Sequence, residues 1–271
     1  KAEDITYGIH VSDQTLARLF YMIRTEEDAK QTMTDHEVEE SIISITRSWE
    51  DGLRRSLCEA YGEHEGLKLF KTYGPAFFIG YQEHTSAEIA LDDIRKIEGL
   101  RSGEISEDIA VSMHALEDGE RASLRIFHRE TSLYLSEIMP ILEKLGLHVR
   151  EERPSQVMLD NKKFWIHDFV VEAPEEARRE IVSEKVVERI RQNIRLAWRK
   201  EISNDRLNGL ITCGNLGPEA IIVLRAYVAY LQQAGAKFSG DYVRKTLVRH
   251  SQVSGRLWKL FDARFNPEYS T

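Results

Sequence analysis

The sequence predicts an α+β fold that is followed by an all-helical segment. Stretches in which apolar and polar residues alternate, as in half-buried strands, recur along the first part of the chain with helical stretches between them. From Pro174 onward only the helical spacing of apolar residues remains. A chain of 271 residues can bury a substantial core and is long enough for more than one domain. We therefore predict three parts, at residues 1–74, 75–173 and 174–271.

The first part begins with two predicted strands. They lie at residues 5–11 and 17–23, with a turn at 12–14 between them. Asp35 is predicted to cap a long helix, and the apolar stripe of this helix consists of Val38, Ile42, Ile45, Trp49, Leu53 and Leu57. A short helical connector follows from Tyr61 to Tyr73. We interpret this part as the end of a domain that begins further upstream.

The second part is predicted to start with a strand at Ala76 to Gln82, which is short and aromatic. Thr85 and Glu88 then form the capping box of a helix, and the apolar residues of this helix are Ile89, Ile94, Ile97 and Leu100. Two alternating strands come next. One contains Ile109, Val111 and Met113, and the other contains Leu124 and Ile126. The Asp118-Gly119 pair between them predicts a hairpin.

A second helix is predicted at residues 136–145, where apolar residues recur at helical spacing. Ser136 is the expected N-cap. Pro140 would then lie in the first turn, where a missing N–H costs least. Gly146 stands where the chain must leave the helix through a left-handed residue.

Two further strands are predicted at Leu147–Arg153 and Lys163–Ala173. They are joined through Pro154 and the turn-forming Asp160-Asn161 pair. The resulting order, β-α-β-β-α-β with one further strand, is the ferredoxin-like order. Right-handed crossovers would place both helices on one face of the sheet.

The third part is predicted to be helical throughout. Pro174 suits a first helical position, and Val186, Ile190, Ile194 and Trp198 then recur every fourth residue. Turn-forming residues separate further helices, which are predicted near 205–213, 218–234, 240–250 and 253–264.

Five stretches of the sequence point to a known family. They are LSEIMPILEKLGLHVREERP at 135–154, WIHDF at 165–169, SWEDGL at Ser48–Leu53, LRAYVAYLQQAG at Leu224–Gly235 and LFDARFNP at Leu260–Pro267. Taken in their order along the chain, they resemble the large NAD-specific glutamate dehydrogenases of bacteria, in the region upstream of the catalytic domain. The resemblance implies that residues 1–74 end one ACT-like regulatory domain and that residues 75–173 form a second, ACT-like (ferredoxin-like) domain.

The same resemblance implies what the full-length protein does. It would oxidatively deaminate L-glutamate to 2-oxoglutarate and ammonia with NAD as cofactor. It would be a cytoplasmic homo-oligomer, in which this region contributes to self-association or binds an amino-acid effector.

Composition limits the other partners. A formal net charge of −8 argues against wide contact with nucleic acid, where neutralised phosphates supply most of the affinity. No apolar run approaches the roughly 18 residues that span a bilayer, and 30% charged residues fit a soluble protein. Cys58 and Cys213, far apart in sequence, are expected to be free thiols in a reducing compartment.

We find no motif for a cofactor or for catalysis, and predict no catalytic, cofactor-binding or metal-binding residue. The glycine pattern of a dinucleotide site is absent, and Cys213–Pro218, the nearest glycine pair, is interpreted as a boundary between helices. The glycine-rich lysine motif of glutamate dehydrogenases is absent as well. We therefore expect no NAD binding and no activity from this region alone.

Three other groups of residues suggest chemistry but have a simpler interpretation. Cys58, Glu59, Glu63 and His64 match no closed metal motif, so we expect an exposed Glu/His face with a buried cysteine. His167 and Asp168 would point to opposite faces of a strand, and His167 is expected to pack beside Trp165. A basic set of residues in the helical segment is interrupted by Glu184, Glu188 and Glu201, so we predict a solvated helix face there. The set consists of Arg189, Arg191, Arg195, Arg199 and Lys200.

These observations predict a non-catalytic regulatory and assembly region of an NAD-dependent glutamate dehydrogenase. Two alternatives stay open: a free-standing ACT-type protein that senses amino acids, and an interaction adaptor built on the helical segment. We favour assembly over sensing, because unpaired strand edges can pair with another chain and no loop offers a glycine-rich pocket for an amino acid.

Overall fold

The first two strands form a hairpin near the start of the chain. A computed structural model describes residues 2–11, 17–25, 34, 48–105, 109–116, 118–177 and 181–267. The chain divides into two compact units, Lys1–Ser48 and Trp49–Thr271. In the first unit, β1 (Ala2–Val11) and β2 (Ala17–Thr25) pair antiparallel, which confirms both predicted strands. The predicted turn at 12–14 and the predicted helix from Asp35 to residue 47 lie outside the described residues.

The second unit is built around a four-stranded sheet. Its elements before and within the sheet region are α1 (Trp49–Tyr61), α2 (Glu63–Tyr73), α3 (Ile79–Gln82), α4 (Ala87–Ser102), β3 (Ile109–Ala115), β4 (Arg121–Arg129), α5 (Leu135–Lys144), β5 (His148–Leu159) and β6 (Lys162–Glu172). The strand order across the sheet is β3-β4-β6-β5, and every neighbouring pair is antiparallel. The elements after it are α6 (Glu184–Trp198), α7 (Leu210–Cys213), α8 (Pro218–Gln233), α9 (Gly240–Arg249) and α10 (Ser251–Phe265). The predicted fold class, α+β followed by an all-helical segment, is confirmed.

Three turns lie where the sequence predicted them. Between β3 and β4, Gly119 has φ 66°, and Asp118 Oδ1 accepts hydrogen bonds from the backbone N–H groups of Glu120 and Arg121. Between β5 and β6, the Asp160-Asn161 pair has φ values of 47° and 61°, the left-handed conformation that a two-residue hairpin turn of this type requires. Gly146, just after α5, has φ 79°.

Both predicted N-caps in the sheet region were wrong by one or two residues. Helix α4 is capped by Ser86, whose Oγ accepts from the Ile89 backbone N–H at 3.3 Å, and not by Thr85. Helix α5 begins after Tyr134, so Ser136 is its second residue. Pro140 is therefore the sixth residue and lies in the second turn, where the missing N–H removes a helical hydrogen bond.

The predicted strand at 76–82 was wrong. Gly74–Ala76 forms a 3-10 turn and residues 79–82 form the short helix α3. Phe77 and Tyr81 are both buried and stack on each other with ring centroids 4.3 Å apart, while Phe78 and Ile79 between them are exposed. Burial therefore recurs at the spacing of a helical turn, and not at every second residue as a strand requires.

Strand β5 is longer than predicted. The sequence analysis ended a strand at Arg153 and placed Pro154 in the connection, but β5 continues through Pro154 to Leu159. Pro154 is tolerated there because β5 is an edge strand, bonded only to β6.

The sheet is covered on both faces, and this corrects the expectation that its two helices share one face. Helix α4 packs with α1 against one face, where the core contains Leu53, Ile94, Ile97, Phe127 and Ile166. Helix α5 packs on the other face together with α6 and α8, where the core contains Leu124, Leu142, Phe169, Ile190 and Leu224. The elements that share a face with α5 are thus α6 and α8, from the helical segment.

The helical segment follows the prediction closely after its first turn. Helices α8, α9 and α10 correspond to the predicted helices near 218–234, 240–250 and 253–264, and the one near 205–213 is a 3-10 turn, Arg206–Gly209, followed by α7. Pro174 does not open a long helix. It precedes a single 3-10 turn, Glu175–Ala177, and α6 begins only after Ser183.

Candidate functional site

Three charged side chains lie buried between helix α4 and the sheet. Arg125 on β4 and Asp168 on β6 are directly opposite each other across the two strands. Asp93 projects from α4, and all three side chains are withdrawn from solvent. Because side chains alternate along a strand, Arg125 points to the same face as Phe127, which belongs to the core that α4 covers.

The Arg125 guanidinium donates hydrogen bonds to four side chains. Nη1 donates to Asp93 Oδ2, and Nη2 donates to Asp168 Oδ2 at 3.2 Å and to Thr85 Oγ1 at 3.0 Å. Nε donates to Ser123 Oγ at 3.2 Å, and that hydroxyl donates in turn to Asp168 Oδ1 at 2.5 Å. The network therefore joins α4, the residues before it and two strands of the sheet.

Burial controls the protonation of the network. It raises the pKa of Asp93 to about 6, and the charge of Arg125 opposes this rise. The Tyr81 hydroxyl donates to Asp93 Oδ2 at 2.5 Å, and burial together with the Asp93 charge holds the pKa of Tyr81 well above its ordinary value. Burial lowers the pKa of Arg125, but the charges of Asp93 and Asp168 outweigh this effect and the pKa of Arg125 is raised. At neutral pH, ionised Asp93 therefore pairs with Arg125, which stays positively charged.

The space beside this network is too small for an amino acid. A cavity of about 20 Å³ is lined by His84, Thr85, Arg125, Arg153 and Ser155, among others. A cavity of this size holds one water molecule. Buried charges stabilise a fold only when each is paired, so the network is best described as a clamp that positions α4 on the sheet.

His167 lies buried on the other face of the sheet, packed beside Trp165 as predicted, and it does not meet Asp168. Its Nε2 accepts a hydrogen bond from the Leu133 backbone N–H at 3.2 Å. The ring proton is therefore on Nδ1, which donates to Glu152 Oε1 at 2.8 Å. The sequence analysis missed this histidine–carboxylate pair, because Glu152 lies on the neighbouring strand.

The cysteines and the predicted helix boundary can be located in the fold. Neither Cys58 nor Cys213 forms a disulfide, and both are half-buried, so Cys58 is less buried than predicted. The described residues contain no group of three His, Cys, Asp or Glu side chains that could hold a metal ion. The Cys213–Pro218 stretch connects α7 to α8, which confirms a boundary between helices.

The basic residues of α6 were predicted to form a solvated helix face, but those on the helix itself, Arg189, Arg191 and Arg195, are half-buried. Arg191 and Arg195 lie 3.5 and 3.6 Å from the Glu188 carboxylate. Just after the helix, Arg199 lies 3.8 Å from Glu201. Because acidic residues pair with these cations, the set does not form an open anion site.

Sequence reasoning missed the buried network. The sequence did contain one signal of a buried charge. Arg125 lies two residues before the apolar Phe127 in a strand predicted to be half buried, so both side chains point to the same, inward face. A charge at an inward position requires a buried partner. The sequence did not show which carboxylate would supply it, since Asp93 and Asp168 lie 32 and 43 residues away.

Comparison with known families accounts for most of the chain. Residues 1–50 match the glutamate dehydrogenase ACT2 domain, and residues 56–100 match helical motif 2 of the same enzymes. Residues 108–183 match the ACT3 domain, and residues 202–267 match helical motif 3. The sheet with α5 is therefore an ACT-type domain, and α4 belongs to the helical motif before it. Helix α6 lies between the ACT3 match and the match to helical motif 3.

Three curated proteins are similar over most of this chain. All are described as NAD-specific glutamate dehydrogenases. The protein of Halomonas elongata is 32% identical and that of Pseudomonas aeruginosa 28% identical, over 97% and 98% of this chain. The protein of Mycobacterium tuberculosis is 27% identical over 83% of it. The chain spans 14–16% of the length of these relatives.

The fold and the domain matches define an array of ACT domains that alternate with helical motifs. Within that class, the order of the four matched domains and the names of the three relatives point to the same family. The chain belongs to the family of the large NAD-specific glutamate dehydrogenases. No helix in the part of the chain that the structure describes is long and apolar enough to cross a membrane.

Proposed function

We propose that this chain is a non-catalytic regulatory and assembly region of an NAD-dependent glutamate dehydrogenase. The full-length enzyme oxidises L-glutamate to 2-oxoglutarate and ammonia, with NAD as cofactor, in a cytoplasmic homo-oligomer. The observation that carries the proposal is the succession of ACT2, helical motif 2, ACT3 and helical motif 3 along the chain. The proposed reaction is taken from the relatives that share this region, which are described as NAD-specific glutamate dehydrogenases.

The side chains with catalytic potential support a structural role. The Arg125 guanidinium is occupied by Asp93, Asp168, Thr85 and Ser123. Both ring nitrogens of His167 have partners inside the protein. A catalytic group must face a substrate, and each of these two groups is bonded to partners inside the protein instead.

Assembly through side-chain faces is favoured over pairing of strand edges. Strand β5, one edge of the sheet, exposes charged residues, has an irregularity between Val149 and Glu151, and contains Pro154. Natural sheets use these features to prevent pairing with another chain. Strand β3, the other edge, is buried from Ile109 to Met113. Copies of this region would therefore associate through helix surfaces and through side chains of the sheet region, and not through strand edges.

The first experiment compares the full-length enzyme with the chain alone. Full-length protein should reduce NAD when L-glutamate is added, and the chain alone should not. Failure of the full-length protein to do so, with NAD present and the protein folded, would overturn the proposed reaction.

The second experiment separates assembly from sensing. The sheet shares its cores with α1 and α4 before it and with the α6 and α8 helices after it, so a deletion of residues 76–173 alone would expose both cores. A deletion of residues 49–267 removes the second unit over its described length. Sedimentation of this variant should show a smaller oligomer. An intact oligomer that has lost a response to amino acids would favour the sensor instead.

A further inference from the structure

Helices α8, α9 and α10 enclose an apolar groove with a volume of about 440 Å³. Its two long walls are rows of side chains at helical spacing. The rows consist of Leu224, Val228 and Leu231 on α8, and Leu257, Phe261 and Phe265 on α10. Helix α9 contributes further apolar side chains. The groove borders the core on the α5 side of the sheet, because Leu224 and Val228 belong to both, and the Arg125 clamp does not contribute to it.

The groove exposes large apolar side chains to solvent. Leu260 and Phe265 in its α10 wall are 67% and 57% exposed, and Leu231 in the α8 wall is exposed as well. Apolar side chains that are scattered singly over a surface need no explanation, but a continuous apolar groove is typical of a docking site.

The shape of the groove favours a helix as its occupant. Rows of side chains spaced three or four residues apart form ridges, and the ridges of another helix pack between them. The lining residues lie on helices, so the groove offers no strand edge to which an extended chain could bond. A helix satisfies its own backbone hydrogen bonds and can bury an apolar stripe there.

Two of the helices that form the groove carry more basic than acidic residues, which favours an acidic helix as the occupant. Residues 240–265 contain six Lys and Arg residues and two Asp residues, in a chain whose net charge is −8. Arg264 is the only charged side chain among the lining residues that the structure describes. Its guanidinium lies over the Phe265 ring, and no carboxylate among the described residues pairs with it. A second copy docked through the same surface would bring these positive charges together, which is unfavourable.

We propose that this groove receives an amphipathic helix with a carboxylate beside its apolar stripe, supplied by the part of the full-length dehydrogenase outside these 271 residues. The inference rests on the proposed function, because the chain spans only 16% of the Halomonas relative and the occupant belongs to the remainder. The groove would then be one contact through which the regulatory region is fastened to the rest of the enzyme.

Covalent footprinting with a carbene reagent tests the proposal. The chain alone and the full-length enzyme are labelled under the same conditions, and peptides from α8 and α10 are compared. Pockets bury about 70–90% of a bound ligand's surface, and protection of the groove to the same degree would lower labelling of residues 257–265 about three- to tenfold in the full-length enzyme. Ile222 on α8 is 52% exposed and does not line the groove, so its labelling serves as the reference for differences between the two samples that are unrelated to the groove.

Two matched charge reversals in the full-length enzyme test the acidic partner. Arg264→Glu should restore labelling of the groove, whereas Lys259→Glu, on an exposed residue of α10 outside the lining, should not. Equal effects of the two variants would overturn the charge argument.

Other outcomes of the footprinting identify a different occupant. Labelling of the groove that is equal in the chain and in the purified full-length enzyme would overturn the proposal, because the occupant would then be a separate protein or absent. Protection in the chain alone that grows with its concentration would overturn it in favour of a second copy. Protection in a full-length protein that does not oxidise glutamate would leave the groove contact standing and would reject only the proposed reaction.

Discussion

Replacement of Arg125 by methionine tests whether the buried network clamps α4 to the sheet. Methionine has a long, flexible side chain but no charge and no N–H donor. Asp93 and Asp168, which are 0% and 6% exposed, would remain buried without their cation. Breaking a buried ion pair in this way costs about 3–5 kcal/mol. At roughly 2–4 °C per kcal/mol for a unit of this size, the melting temperature should fall by about 6–20 °C.

Calorimetry measures this loss, with an exposed ion pair as the control. Arg150 lies 2.7 Å from Glu172, and its side chain is 62% exposed. Arg150→Met should therefore cost only about 0–1 kcal/mol. In the network, a triple variant that adds Asp93→Asn and Asp168→Asn should recover much of the stability lost in Arg125→Met, because no unpaired charge remains buried. A loss below about 1 kcal/mol for Arg125→Met, the level of the exposed pair, would refute the clamp.

Three further predictions concern pH, packing and the cofactor. The pKa of Asp93 is about 6 in the folded chain against an ordinary value of 3.8, so the folded state binds this proton more tightly. The Asp93 contribution to stability should then fall as pH rises from about 4 to about 6 and stay constant above that, and Asp93→Asn should remove this slope from melting temperatures. An unchanged slope would assign it to another group. Leu142→Ala, at a fully buried position of α5, should cost about 2–5 kcal/mol in thermal or urea unfolding, whereas Leu135→Ala, at an exposed position of the same helix, should cost far less. Melts of Leu142→Ala within a degree of the parent would contradict the assigned helix face. Calorimetric titration of the chain with NAD should show no saturable binding at micromolar concentration, and a saturable isotherm would reopen the Cys213–Pro218 stretch as a cofactor site.

Local backbone chemistry was enough to place the turns and most helices. The Asp118-Gly119 and Asp160-Asn161 pairs form turns because glycine, asparagine and aspartate tolerate the left-handed backbone that such turns need. Gly146 follows α5 for the same reason. Turn-forming residues located α8, α9 and α10, because glycine and proline end a helix through local backbone geometry. The family resemblance was also readable, since its motifs are continuous stretches of sequence.

Contacts between distant residues decided what the sequence left ambiguous. The aromatic stretch at 76–82 has a strand-like composition, but Phe77 and Tyr81 both pack against Trp49 at about 6 Å, and this contact holds the segment in helical turns. The capping site moved from Thr85 to Ser86, and the Thr85 hydroxyl accepts a hydrogen bond from Arg125 instead.

The placement of α4 and α5 on opposite faces of the sheet depends on which apolar surfaces the other helices leave uncovered, and no local pattern encodes this. The buried network has the same origin. Asp93 and Asp168, taken alone, resemble ordinary surface residues in the sequence, and the inward position of Arg125 does not say which residues pair with it. Only the fold brings the three together from separate elements, because the desolvation of Arg125 must be offset by the two carboxylates and that of each carboxylate by Arg125.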